Sequence, residues 1–221
     1  MSLTVKICGL STEETLDAAL AAGADMVGFV FFQRTPRFVS TEKAAALAQR
    51  IRGRAKTVAL TVDFDDATLD AIVTALNPDW LQLHGHESVE RTAAIRHRYG
   101  KHILKAIGIA SAADLDATQP YAEVVDAFLL DAKPPKDATR PGGNARSFDW
   151  TILSGFHSPV PYLLSGGLNP SNVAEAIRIT GAPGVDVSSG VETTPGVKSP
   201  DLIRAFIANA RAAVAKEKVA S

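Results

Sequence analysis

An α/β fold closed as a single (β/α)8 TIM barrel is what this 221-residue sequence predicts, on three observations. Short β-branched runs alternate with alanine-rich amphipathic stretches; there are eight such runs; and 221 residues shared among eight units leave about 28 each, near the length of a compact βα pair. Strict alternation implies a parallel sheet covered by helices. Eight units imply closure, which commonly takes ~200–250 residues. The open, doubly wound alternative in its dinucleotide form wants Gly-x-Gly-x-x-Gly after an early strand, whereas the first strand here runs into Cys8-Gly9-Leu10-Ser11. No linker or change of composition divides the chain, so residues 1–221 read as one barrel domain with 216–221 as a frayed tail.

Taken in order, the strands are expected to end near Cys8, Phe31, Val62, Leu83, Ile107, Asp131, Leu164 and Val187. Helices are expected over Thr12–Ala22, Thr41–Arg52, Ala67–Leu76, Val89–Tyr99, Ala112–Thr118, Asn172–Thr180 and Pro200–Ala215. Ser11, Ser40, Ser111 and Ser171 stand where a side-chain oxygen can accept from first-turn amides, and Ser11 with Glu14 has capping-box spacing.

Composition excludes several classes of function. With 46% apolar residues and a net charge of −1, the chain is not intrinsically disordered. Twenty-three basic against 24 acidic residues give no general bias toward nucleic acid or an anionic membrane. No apolar run approaches the ~20 residues of a bilayer span, and the N-terminus lacks a signal-peptide layout. The single cysteine, Cys8, cannot form an internal disulfide. A cytoplasmic address is the simplest expectation.

In a parallel barrel alternate strand residues face the helices, and the rest face the interior. Placing apolar residues on the helix side turns Lys6 and Cys8 inward on strand 1, Thr61 and Asp63 on strand 3 (with Val58, Leu60 and Val62 outward), Gln82 and His84 on strand 4, Asp131 on strand 6 and Asp186 on strand 8. Polar groups from several strands converging on one interior point to a site at the strand carboxyl ends. Strand 7 is followed by Leu164-Ser165-Gly166-Gly167-Leu168-Asn169-Pro170, and strand 8 by Ser188-Ser189-Gly190-Val191-Glu192. Loops after strands 7 and 8 form a frequent phosphate site in this architecture, often with a short helix, here expected near Ser188. A phosphorylated small molecule is therefore the expected partner.

The motifs Lys6-Ile7-Cys8-Gly9, Gly28-Phe29-Val30-Phe31, Gln82-Leu83-His84-Gly85, Leu130-Asp131, Leu164 through Pro170 and Gly184 through Glu192 resemble, in order, those of the phosphoribosylanthranilate isomerase family of tryptophan biosynthesis. The resemblance implies an Amadori rearrangement without cofactor or metal, from N-(5′-phosphoribosyl)anthranilate to 1-(2-carboxyphenylamino)-1-deoxyribulose 5-phosphate. Carried over position by position, it implies Asp131 as general acid and Cys8 as general base. It further implies that Arg37 grips the anthranilate carboxylate, that Asp186 contacts substrate, and that Gly166, Gly167, Ser188, Ser189 and Gly190 cradle the phosphate. His84 is read as substrate-binding, with a satisfied structural histidine as its alternative.

Each role makes a demand. Asp131 must hold a proton well above the ordinary ~3.9 of an aspartate. Cys8 must reach the thiolate from an ordinary value near 8.5, with Lys6, about 7 Å along the strand, as a possible electropositive neighbour. After strand 6 the family's glycine-rich loop is replaced by Gly142-Gly143-Asn144-Ala145-Arg146, a departure bearing on loop closure. His84-Gly85-His86 would diverge on a strand, which speaks against a metal site. Among rivals, indole-glycerol-phosphate synthase would need a lysine-centred set, and the histidine-pathway isomerase wants an aspartate where strand 1 carries Cys8. A barrel that binds a phosphorylated metabolite without catalysis would lack the acid or the base. The sequence fits a monomer and a homodimer equally.

Overall fold

The computed structural model describes residues 3–133 and 147–220, with side chains as far as Ala215. Its eight parallel strands are β1 (Thr4–Cys8), β2 (Met26–Val30), β3 (Lys56–Thr61), β4 (Trp80–Leu83), β5 (His102–Ile109), β6 (Ala127–Ala132), β7 (Tyr162–Leu164) and β8 (Gly184–Val187). They close into a barrel in sequence order, β1 pairing with both β2 and β8. The helices α1 (Glu13–Ala21), α2 (Thr41–Ala48), α3 (Asp66–Leu76), α4 (Val89–Tyr99), α5 (Val173–Thr180) and α6 (Pro200–Ala220) lie between and after them. The fifth and sixth units carry 3-10 turns instead, Ala112–Tyr121 and Trp150–Leu153. Pro120, inside the first of these, has no N–H to donate to a helix.

The predicted strand ends agree with these bounds to within two residues. Two predicted caps do not form. Thr12, not Ser11, caps α1, its Oγ1 accepting from the Thr15 N–H at 3.3 Å, so the Ser11–Glu14 capping box is absent. Asn172 stands at the N-cap of α5 in place of Ser171, whose hydroxyl instead donates to Asn169 Oδ1. Ser40 caps α2 as expected. The last helix continues to Ala220, past the Ala215 end read from the sequence.

Strand parity divides the apolar residues into two clusters. Val5, Ile7, Val27, Phe29, Ala59, Leu81, Leu83, Phe128, Leu130 and Val185 pack outward beneath the helices. Met26, Val58, Leu104, Ala127, Leu129 and Leu163 plug the barrel interior. Fully burying one such side chain contributes roughly 1.5–3 kcal/mol. On β3 the predicted parity is inverted. Val58 is in register with Gly28, and Gly28 with Cys8, so Val58 faces inward and Thr61 outward. Both faces of β3 are buried; hydropathy alone therefore could not orient it.

Candidate active site

Cys8 ends β1 and is 3% exposed. Its in-register neighbour on β2 is Gly28, where a Cβ would stand 3.0 Å from Sγ; the glycine leaves the thiol its room. Beneath it, fully buried Lys6 donates to Asp186 Oδ1 at 2.6 Å, and Ser165 Oγ donates to Asp186 Oδ2 at 3.1 Å. Burial alone would push the lysine down, but Asp186 and Cys8 outweigh it and Lys6 is held above its ordinary value, as a cation. Burial pushes the Cys8 thiol up; Lys6 and Lys198 pull it down, Asp186 pushes it up, and the net direction is upward. Lys6 therefore acts on Cys8 in the expected direction but does not deliver a resting thiolate, because its charge is already matched by Asp186.

Across the barrel, Asp131 on β6 accepts the Ala132 N–H on Oδ1 at 2.9 Å and has its Oδ2 3.4 Å from His84 Nε2. Gln82 Nε2, 2.8 Å from His84 Nδ1, can only donate. That places the ring proton of a neutral His84 on Nε2, toward Asp131. His84 thus has protein partners at both ring nitrogens. Gln82 Oε1 has no partner among the described residues.

Arg37, 4% exposed, follows β2 and is clamped by Glu192, with Nε and Nη2 donating to the two carboxylate oxygens at 2.7 and 2.8 Å. Burial would raise Glu192, but Arg37 and Lys198 hold it down at about 2. Neither Glu192 nor Lys198 is among the site residues read from the sequence. They come from a fold-back the strand pattern gave no sign of: past a 3-10 turn at Ser189–Val191, the small antiparallel pair β9 (Glu192–Thr194) and β10 (Val197–Lys198). The 3-10 turn itself matches the short helix expected near Ser188.

The two glycine-rich loops lie against each other. Gly166 and Gly167 take φ of +84° and +67°, and a Cβ on Gly166 would come within 2.5 Å of the Ala132 amide. On Gly190 it would come within 1.8 Å of the Leu168 carbonyl oxygen, so only glycine allows this approach. Ser188 and Ser189 sit beside that contact, and Lys198 Nζ donates to the Ser188 carbonyl at 2.9 Å. The Gly142–Arg146 departure lies outside the described residues. Among the described residues, no group of three His, Cys, Asp or Glu side chains is placed to hold a metal, and no helix is long and apolar enough to cross a membrane.

A thiol, a carboxyl, a guanidinium and two glycine-rich loops gathered at the carboxyl ends of eight parallel strands define a (β/α)8 barrel with a mouth built for a small polar ligand. The family model described as N-(5′-phosphoribosyl)anthranilate (PRA) isomerase matches residues 5–209. The chain belongs to that family. It is 59% identical, over 96% of its length and all of the relative's, to an N-(5′-phosphoribosyl)anthranilate isomerase of Rhodopseudomonas palustris. Its fold is similar to a phosphoribosyl anthranilate isomerase structure from Thermotoga maritima, with TM-score 0.85 and 34% identity over 95% of this chain and 99% of that one. A second structure, in complex with reduced 1-(o-carboxyphenylamino)-1-deoxyribulose 5-phosphate, matches with TM-score 0.83 and 32% identity over the same shares.

Proposed function

We infer that the protein isomerises N-(5′-phosphoribosyl)anthranilate to 1-(2-carboxyphenylamino)-1-deoxyribulose 5-phosphate in tryptophan biosynthesis, as a cytoplasmic enzyme whose ligand is a phosphorylated small molecule. The observation that carries this reading is the pairing of Cys8 and Asp131 at the mouth of one barrel, on β1 and β6, with β7 and β8 between them along the shorter arc.

Asp131 gives its proton to the furanose ring oxygen. The C1–O bond breaks, and the nitrogen lone pair forms a C=N bond, leaving a protonated Schiff base. Cys8, as thiolate, takes the proton on C2; the freed electron pair forms C1=C2, and the C=N pair returns to nitrogen. The enolamine then tautomerises to the ketone. Because Cys8 rests as a thiol, its own proton passes to solvent before it takes the C2 proton; Asp131, left as a carboxylate, regains a proton from solvent, and both groups end the turnover as they began it. The upward push on the resting thiol favours an order of events. The iminium cation exists only after Asp131 has acted, and a positive charge near a buried thiol favours its ionisation. Arg37 receives the anthranilate carboxylate through the N–H groups that Glu192 leaves free. Gly166, Gly167, Ser188, Ser189 and Gly190 supply the phosphate cradle; Asp186, which the resemblance makes a substrate contact, has its two oxygens engaged by Lys6 and Ser165 and is read here as acting through them.

Freshly generated phosphoribosylanthranilate is fluorescent through its aminobenzoate ring, so loss of that signal follows the reaction. The purified protein is expected to consume it in the presence of a chelator and without any nucleotide. Consumption no faster than spontaneous decay would end this reading.

A further inference from the structure

Glu192 occupies an unusual position for an acidic residue beside a site that takes an anion. Its Oε1 accepts from Arg37 Nε at 2.7 Å and Lys198 Nζ at 2.7 Å; its Oε2 accepts from Arg37 Nη2 at 2.8 Å and the Gly196 amide at 3.2 Å. Four donors saturate a carboxylate. Lys198 is itself spoken for, donating to Glu192, the Ser188 carbonyl at 2.9 Å and Ser188 Oγ at 3.2 Å. The side chains of all three charged residues are 5% exposed or less. The tie extends to the backbone: a Cβ at Gly196 would fall 2.6 Å from the Pro36 carbonyl oxygen, so the β9–β10 turn rests directly on the loop that carries Arg37.

Two cations against one carboxylate leave the cluster at +1. A guanidinium has five N–H donors in a rigid plane, and Glu192 takes two of them from one edge. The remaining donors are held in a fixed direction with one positive charge unmatched. We propose that Glu192 is a specificity-determining positioning residue: with Lys198 as its counterweight, it fixes Arg37 so that the free edge of the guanidinium reads the aryl carboxylate of the substrate. This rests on the function proposed above and adds to it the means of telling a carboxylated aryl amine from a plain one. The competing idea, that Glu192 only repels the substrate's carboxylate, fails on geometry. Both Glu192 oxygens are filled, and removing the charge would set Arg37 and Lys198 against each other.

The test compares two substrates, phosphoribosylanthranilate and its carboxylate-free counterpart made with aniline, on the unmodified protein and on Glu192→Gln and Glu192→Asp. The unmodified protein should prefer the carboxylated substrate in kcat/KM. Glu192→Gln should lower that preference by about tenfold or more, the scale of a charge-assisted hydrogen bond, through KM for the carboxylated substrate and with little change for the aniline one. Glu192→Asp, which keeps the charge on a shorter arm, should fall between. Should the Gln variant not fold, the Asp variant carries the comparison. An equal loss on both substrates, or a tighter KM for the carboxylated one in either variant, overturns the assignment of Glu192 and leaves the functional reading standing. An unmodified protein inactive on both overturns the two together.

Discussion

Cys8 carries the heaviest chemical demand of any residue in the chain, and its surroundings explain why it rests as a thiol. Burial opposes the thiolate, and the nearest cation, Lys6, lies 2.6 Å from the carboxylate of Asp186. With the folded thiol above its ordinary value of about 8.5, the protonated form predominates at every pH below that. Alkylation of Cys8 in the free protein should therefore be slow at pH 7 and 8 and accelerate only above about pH 9. Reaction at neutral pH as fast as that of a low-pKa thiolate would contradict this. The inward placement of Cys8, Gln82, His84, Asp131 and Asp186 was legible in the sequence, because each alternates with apolar neighbours that had to face the helices. Glu192 and Lys198 were not legible as site residues. Nothing in their local pattern shows that a turn after β8 folds back onto the loop after β2.

The loop after β4 shows how one element is held in place for another. Lys105 on β5 points outward, away from the barrel interior, yet is 2% exposed. It donates to Glu87 Oε2 at 2.9 Å and to the Gly85 carbonyl at 2.8 Å, while Glu87 accepts from the amides of Asp63 and Gly85. Tyr121 closes the cluster by donating to the Glu87 carbonyl at 2.9 Å. These bonds fix the turn that follows His84. Breaking a buried pair from one side leaves an uncompensated charge, typically costing about 3–5 kcal/mol. Lys105→Met should lower unfolding stability by that order in a urea titration. A change under ~1 kcal/mol would show that Glu87 is satisfied without the lysine. The sequence disclosed the strand but not this pair, since an outward lysine reads as a solvated one until the covering 3-10 turn at Ala112–Tyr121 is in place. That turn replaces the expected helix of the fifth unit.

At the scale of the molecule, closure brings together what the chain keeps apart. Residues 8, 131 and 186 face one interior because β1 pairs with β8 and so closes the sheet of eight. α6 secures that seam from below: Ile203, Phe206, Ile207 and Ala210 are buried, and Arg211 reaches the Leu3 and Gly23 carbonyls and Asp25, whose carboxylate accepts the Val5 amide. Eight alternating units made this architecture readable from the sequence. The strand count was robust because each β-branched run is flanked by turns, whereas β3, buried on both faces and with its threonines turned outward, could be oriented only by its register with β2. The central claim is that Asp131 and Cys8 perform the isomerisation as acid and base, and single-residue replacement tests it most directly. Asp131→Asn and Cys8→Ser should each lose about 10²-fold or more in kcat while binding reduced 1-(o-carboxyphenylamino)-1-deoxyribulose 5-phosphate, measured by calorimetry, near the unmodified affinity. Turnover close to that of the unmodified protein in both variants would contradict the account.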